Sequence, residues 1–159
     1  MEKRVVNIFT DGSCDLKYKV GGWAAILFPG EKQVALKGKV LNTTHNRMEL
    51  TAVIKAIDYT LAEFPEFKQI WIFSDSQYVV GIAKRRKKLK DKEYLTKKGT
   101  PIQNLDLVKE LKKHIDSLDI NFVKVKAHQK KGNSQNYNRE VDKLSRKIVR
   151  QCIRNKLDN

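Results

Sequence analysis

Four carboxylates stand where predicted elements begin or end, at Asp11, Glu49, Asp75 and Asp142. Asp11 and Asp75 each follow a run of apolar, β-branched and aromatic residues, which predicts a buried strand. Ligands bind beyond the carboxyl ends of the strands in such sheets, so these two acids are expected at one edge. Four converging carboxylates would repel one another, and two divalent cations would neutralise them. Oxygen ligands favour Mg²⁺ or Mn²⁺, and two ions about 4 Å apart support in-line cleavage of a phosphodiester bond.

The other two acids lie on predicted helices. Glu49 precedes Ala52 and Val53 by three and four residues, so it shares the face that a helix over residues 47–63 turns towards the core. A charge there is costly unless it is paired or bound to a metal. The alternative for Glu49 is a capping residue in the first helical turn, favoured by the helix dipole. Asp142 lies one step off the apolar stripe of the last helix, near its start.

Periodicity and turn signals predict the elements that position these acids. The first strand is expected to end at Asp11, because Gly12 and Ser13 form a turn signal. Short loops favour an antiparallel meander of the first three strands, and the helix before the fourth implies a right-handed crossover. The predicted strands cover residues 5–11, 20–28, 33–41, 70–73 and 119–126. The predicted helices cover residues 47–63, 77–82 and 137–153, and a further helix is expected to open at Thr100 and Pro101. Thr44 or Asn46 is the expected N-cap of the first helix, and Ser76 is that of the second. The apolar stripe of the last helix consists of Val141, Leu144, Ile148 and Cys152.

The composition restricts the class of protein and its partners. A length of 159 residues with 40% hydrophobic residues suits one domain over residues 1–159. The net charge of +15 favours a polyanionic partner, most commonly nucleic acid, over a merely basic surface. There is no apolar run of transmembrane length and no signal-peptide core at the N-terminus. Cys14 and Cys152 lack metal-type spacing and are expected as reduced thiols in a cytoplasmic protein.

Much of the positive charge is concentrated in residues 84–98, which we call the basic segment. It holds nine basic and two acidic residues, a local balance of +7. We expect it to project from the core and to bind phosphates without sequence specificity. The alternative is a solvated charged face, which most charge runs are.

Three motifs that contain the acids resemble those of type 1 ribonuclease H: TDGSC at 10–14, THNRMEL at 44–50 and DSQYV at 75–79. KAH at 126–128 and NREVD at 138–142 match the rear motifs of the family more loosely. The resemblance covers nearly the whole chain. It implies an α/β, ribonuclease H-like fold with a five-stranded mixed sheet, strands one to three antiparallel and strands four and five parallel to the first. It also implies endonucleolytic hydrolysis of the RNA strand of RNA–DNA hybrids, leaving 5′-phosphate and 3′-hydroxyl ends.

The resemblance also implies roles for individual residues. Asp11, Glu49, Asp75 and Asp142 would bind two Mg²⁺ ions, with Mn²⁺ as an alternative, and His128 would assist proton transfer or product release. Without the resemblance, His128 would be an ordinary surface histidine. The residues expected to contact the hybrid are Gly12 and Ser13 through their backbone, Asn46, Gln77, Thr44 and Tyr78, and, in the basic segment, Lys84, Arg85, Arg86, Lys87 and Lys88. For Tyr78 a partly buried core position is the alternative.

Two other functions remain open from the sequence. The chain could be a ribonuclease H domain that works beside a reverse transcriptase, although Met1 favours a free-standing protein. It could instead be a hybrid- or double-stranded-RNA-binding module with relic acids, against which the presence of all four carboxylates argues. We expect a monomer with no obligate protein partner and no membrane association.

Overall fold

A computed structural model describes residues 4–126 and 137–157 of the chain. In this part five strands and four helices follow one another in the order β1–β2–β3–α1–β4–α2–α3–β5–α4. The strands are β1 Val5–Asp15, β2 Val20–Pro29, β3 Val34–Leu41, β4 Gln69–Ser74 and β5 Asp119–Lys124. The helices are α1 His45–Glu63, α2 Gln77–Asp91, α3 Leu105–Ser117 and α4 Tyr137–Leu157.

The sheet has the predicted mixed topology. Its strand order is β3–β2–β1–β4–β5, with β1 at the centre. β1–β2 and β2–β3 are antiparallel pairs, whereas β1–β4 and β4–β5 are parallel pairs. The predicted fold class is therefore confirmed, and α1 connects the antiparallel part of the sheet to the parallel strand β4.

Helices cover both faces of the sheet. On one face the core joins β1, β2 and β4 to α1, α2 and α3 through residues such as Ile8, Leu50 and Leu111. On the other face Ala24, Ile26 and Val141 form a smaller cluster beneath α4. Burial on both faces explains why β2 is a nearly continuous apolar run. No helix in the described residues is long and apolar enough to cross a membrane.

The predicted end of β1 at Asp11 is wrong. The strand continues through the expected turn to Asp15, because Gly12 and Ser13 pair with Trp23 and Gly22 of β2. The parallel partner β4 stops earlier, since its last pair with β1 is Ser74 with Thr10. Asp11 therefore lies inside a strand, one residue beyond the place where the parallel pairing ends.

The predicted start of α3 is also wrong. The helix begins at Leu105 after Asn104, whose backbone is left-handed with φ 59°, and Pro101 forms an isolated bridge with Leu95 instead. The left-handed backbone of Asn104 and the bridge between Leu95 and Pro101 thus prevent a helix start at Thr100 and Pro101. The start of α1 follows one of the two predictions, because the side chain of Thr44 accepts a hydrogen bond from the backbone N of Arg47 at 3.2 Å.

The buried faces of two helices differ in detail from the apolar spacing of their sequences. Leu61 falls on the helical spacing of the apolar residues of α1, yet it is exposed. On α4 the fully or largely buried positions include Val141, Ser145 and Val149, while Leu144 and Ile148 are only half-buried. The buried face of α4 is therefore rotated from the purely apolar stripe, and it brings a serine to the sheet.

Glycine allows α4 to approach β2 closely. A Cβ atom at Gly22 would lie 2.5 Å from the backbone O of Ser145, nearer than real Cβ contacts allow. Because the obstructing atom is backbone, the helix would have to move away from the sheet. Gly81 differs, since a Cβ atom on this α2 residue would lie no closer than 3.8 Å to the Arg85 side chain.

We predict that Gly22→Ala destabilises the protein by about 1–3 kcal/mol, the range for overpacking a tight contact. Gly81→Ala is the matched control, and it should stabilise by about 0.5–1 kcal/mol because alanine favours a helix interior. Urea unfolding of both variants measures the free energies. Equal effects at the two positions would contradict the close approach of α4.

Candidate active site

Three of the four predicted acids converge at the carboxyl end of the parallel strands. One carboxylate oxygen each from Asp11, Glu49 and Asp75 lies within 4.8 Å of the others. Asp11 comes from the centre of β1, and Asp75 directly follows β4. Glu49 can join them because Gly12 has no side chain, and a Cβ atom there would lie 2.4 Å from the backbone N of Glu49. The first turn of α1 therefore rests directly on β1.

Burial and repulsion both act on Asp11. Its side chain is only 4% exposed. Desolvation, followed by the negative charges of Glu49 and Asp75, raises the pKa of Asp11 from 3.8 to about 10. Both causes penalise the ionised form. In the absence of a cation, the site therefore favours a protonated Asp11.

Glu49 is inward-facing, as predicted, and is 1% exposed. One oxygen, Oε1, lies 3.3 Å from Nε2 of His45, and the hydrogen bond to Glu49 raises the pKa of this histidine. The other oxygen, Oε2, is buried without a hydrogen-bond partner among the described residues. This contact of His45 is absent from the predicted site, although its position four residues before Glu49 places the two side chains on neighbouring turns.

Asp142 lines the same cavity but lies outside the close group of three acids. Its Oδ1 accepts a hydrogen bond from Nε of Arg146 at 3.0 Å, an ion pair across one turn of α4. Its charge is among the causes that raise the pKa of Asp11. Arg146 was also missed, although the spacing of four residues between opposite charges on a helix is a readable signal.

The carboxylates open into a cavity of about 680 Å³. Several residues predicted to contact nucleic acid line it, namely Gly12, Ser13, Asn46, Gln77 and Tyr78. Tyr78 is half-buried, and its hydroxyl accepts a hydrogen bond from Nδ2 of Asn104 at 2.9 Å. Thr44 is exposed at the start of α1 and does not line the cavity. His128 lies outside the described residues.

The basic segment begins inside α2, which extends beyond its predicted end at residue 82. α2 continues to Asp91, so Lys84, Arg85, Arg86, Lys87 and Lys88 all lie on its second half. Nε of Arg86 lies 3.6 Å from Asp116 of α3, which ties this part of α2 to the fold. Lys84, Lys87 and Lys88 are exposed.

The donor set fits divalent cations. It consists of carboxylate oxygens, the ligands that Mg²⁺ and Mn²⁺ prefer. A bound cation would favour the ionised form of Asp11 over the protonated form, and it would give the unpartnered Oε2 of Glu49 a partner.

A second group of possible ligands lies between α1 and α3. Asp58, Glu110 and His114 bring their ligand atoms within 4.8 Å of one another, and Nε2 of His114 lies 2.9 Å from Oδ1 of Asp58. Both acids are exposed. Water therefore shields these charges, and the group is explained by an ordinary ion pair.

Comparison with known proteins identifies similar sequences over nearly the whole chain. The RNase H family model matches residues 3–150. A Ribonuclease H of Thermoanaerobacter sp. (strain X514) is 34% identical over 152 residues, covering 94% of this chain and 93% of the relative. A Ribonuclease H of Ehrlichia ruminantium (strain Gardel) is 37% identical over 149 residues, covering 93% and 97%.

Solved structures show the same fold. LC9-RNase H1, described as a type 1 RNase H with the type 2 active-site motif, superposes with a TM-score of 0.78 at 20% identity, covering 94% of this chain and 74% of that chain. A foamy viral protease-reverse transcriptase in complex with dsDNA superposes with a TM-score of 0.68 at 15% identity, covering 90% and 91%.

The fold and the site thus define an α/β protein with a ribonuclease H-like sheet and a carboxylate cluster that could hold a metal ion. The sequence matches place it further: the chain belongs to the RNase H family, whose members cleave the RNA strand of RNA–DNA hybrids endonucleolytically. The resemblance drawn from the sequence motifs is therefore confirmed.

The raised pKa of Asp11 predicts that the free energy of unfolding of the metal-free protein decreases as the pH rises. Above pH 3.8 the unfolded chain releases the proton, whereas the folded chain retains it, so stability falls as the pH rises towards the folded pKa of about 10. At about 1.4 kcal/mol per pH unit, the upper limit between pH 5 and pH 8 is about 4 kcal/mol. Asp11→Asn, which cannot ionise, should escape this loss.

Urea unfolding in EDTA at both pH values measures the effect. The stability advantage of Asp11→Asn over the wild type should grow from pH 5 to pH 8, while Glu63→Gln, at an exposed carboxylate, should show no such growth. If the stability advantage is the same at both pH values, the pKa of Asp11 is not raised in the folded protein.

Proposed function

We propose that the chain hydrolyses the RNA strand of RNA–DNA hybrids at the cavity formed by β1, α1, β4 and α4, with two Mg²⁺ ions held by Asp11, Glu49, Asp75 and Asp142. The observation that carries the proposal is the close group of Asp11, Glu49 and Asp75, of which Asp11 and Glu49 are buried and whose like charges raise the pKa of Asp11. Bound divalent ions supply an activated water and neutralise charge on the leaving oxygen. The expected products carry 5′-phosphate and 3′-hydroxyl ends.

The protein residues bind and orient the reactants. Asp11 and Glu49 are fixed by burial on the sheet and on α1, which keeps their oxygens directed at the cavity. Asp142 is more exposed and is oriented by Arg146. His128 is proposed to move a proton or to assist product release.

Recognition of RNA is proposed to come from polar groups beside the acids. Asn46 and Gln77 carry amides that both donate and accept hydrogen bonds, which suits a 2′-hydroxyl. They line the same cavity as the carboxylates, as do Gly12 and Ser13. Thr44 lies at the N-terminus of α1, where backbone N–H groups favour a DNA phosphate. Tyr78, held by Asn104, offers a ring for packing on a DNA sugar.

The second half of α2 is proposed to hold the DNA strand through its exposed lysines. Their charge supplies affinity that does not depend on sequence. We propose that the enzyme acts as a cytoplasmic monomer, with Mn²⁺ able to replace Mg²⁺.

Asp75→Asn tests the catalytic part of the proposal. Loss of this ligand should lower the rate of hybrid cleavage in Mg²⁺ by about 10³-fold or more, because transition-state charge is no longer neutralised. Hybrid binding should remain measurable by fluorescence anisotropy. Asp119→Asn is the control, since Asp119 is exposed at the opposite end of the parallel strands. Full activity of Asp75→Asn, or equal cutting of double-stranded DNA by the wild type, would refute the proposal.

Neutralising the exposed lysines of α2 tests the hybrid-binding part. A triple Lys→Gln variant at Lys84, Lys87 and Lys88 should weaken binding to hybrids of any sequence. It should also flatten the slope of log affinity against log salt by up to about 3, roughly 0.9 per lost phosphate contact.

The matched control removes the same charge elsewhere, at the exposed residues Lys39, Lys55 and Lys113 of β3, α1 and α3. This variant should keep the salt slope of the wild type. If both triple variants change the slope equally, the effect is one of net charge, and α2 has no special role.

A further inference from the structure

Ser145 is a polar residue that neither the apolar pattern of α4 nor the proposed roles of the carboxylates account for. It lies at the centre of the buried face of this helix and is 0% exposed. A helix packed on a sheet normally buries apolar side chains at such a position. The serine hydroxyl therefore needs a partner, because an unpaired buried hydroxyl is costly.

The hydroxyl has two acceptors within reach, and both belong to predicted metal-binding residues. Oγ of Ser145 lies 3.1 Å from Oδ2 of Asp11 on β1. It also lies 3.1 Å from the backbone O of Asp142, one turn earlier on α4. A single hydroxyl proton can serve one acceptor at a time, and both contacts hold Oγ in the same place. Ser145 thus joins the helix that carries Asp142 to the carboxylate of Asp11.

The surrounding backbone fixes this contact. Ser13 pairs with Gly22 and Asp11 pairs with Ala24, and paired residues of antiparallel strands lie on the same face. That face is the one that α4 covers. The missing side chain of Gly22 lets the backbone of Ser145 approach the sheet, which brings the hydroxyl within hydrogen-bond distance of Asp11.

The contact also restricts the rotation of the Asp11 carboxylate. Its Oδ2 accepts the hydrogen bond from Ser145, while Asp11 shares the close group with Glu49 and Asp75. Residues that hydrogen-bond a metal ligand fix its orientation, and their loss typically lowers metal affinity or activity by about 10–100-fold.

We infer that Ser145 is a positioning residue for the metal site: it orients Asp11 and sets its spacing from Asp142 before cations bind. This inference rests on the proposed function, because it assumes that these two acids bind the metals. Ser145 does not touch the substrate. Its effect is therefore on the affinity for the cations more than on the chemical step.

The test compares Ser145→Ala with Thr60→Val. Both substitutions remove a buried helical hydroxyl and little else. Thr60, 1% exposed, donates to the backbone O of Ala56 at 2.8 Å within α1 and is no part of the acid cluster. Calorimetric titration with Mn²⁺ alone measures affinity without substrate. Hybrid cleavage over a range of Mg²⁺ concentrations separates the half-saturating concentration from kcat.

Ser145→Ala should weaken Mn²⁺ binding by about 10-fold and raise the half-saturating Mg²⁺ concentration similarly, while kcat at saturating Mg²⁺ changes by less than about 3-fold. Thr60→Val should bind Mn²⁺ as the wild type does. Should Ser145→Ala not fold, Ser145→Cys keeps a side chain of similar shape with a weak donor, and it should also lower the affinity.

Unchanged Mn²⁺ affinity in a folded Ser145 variant would overturn the inference and leave the proposed function intact. An equal loss of affinity in Thr60→Val would also overturn it, because the effect would then be one of general stability. A wild-type chain that binds no Mn²⁺ would overturn the proposed function itself.

Discussion

The burial of like charges at Asp11 is the constraint on which the rest of the site depends. Its carboxylate is almost inaccessible to water and lies beside Glu49 and Asp75, so its ionised form is disfavoured. Apolar packing on both faces of the sheet keeps the three acids together despite this repulsion. A bound cation would reduce this repulsion, which is the physical basis of the proposed affinity for divalent cations.

Close packing of backbone on backbone makes this arrangement possible. Gly12 lets the first turn of α1 rest on β1, and Gly22 lets α4 rest on β2. These two contacts lie on neighbouring strands, and they bring Glu49 and Ser145 to Asp11 from two different helices. The glycines thus determine where the functional side chains lie, although they contribute no side chains themselves.

Sequence periodicity predicts most of this fold because strands and helices with regular apolar patterns dominate it. The convergence of Asp11, Glu49 and Asp75 is also predictable, since the end of the pairing between β1 and β4 and the inward face of α1 place these three acids together. The continuation of β1 past Asp11 cannot be predicted from local sequence, because the pairing of Gly12 and Ser13 with β2 outweighs their local preference for a turn. The burial of Ser145 escapes prediction for a similar reason, since it depends on a contact with Asp11, which is distant in sequence. The start of α3 escapes prediction because the local bridge between Leu95 and Pro101 takes the place of the expected helix start.

Anomalous scattering from crystals grown with Mn²⁺ would test the central claim most directly, because it locates cations without reference to activity. The account predicts anomalous peaks at about 2.1 Å from carboxylate oxygens of Asp11, Glu49 and Asp75. An empty acid cluster in crystals that hold Mn²⁺ elsewhere, for example between Asp58, Glu110 and His114, would contradict it.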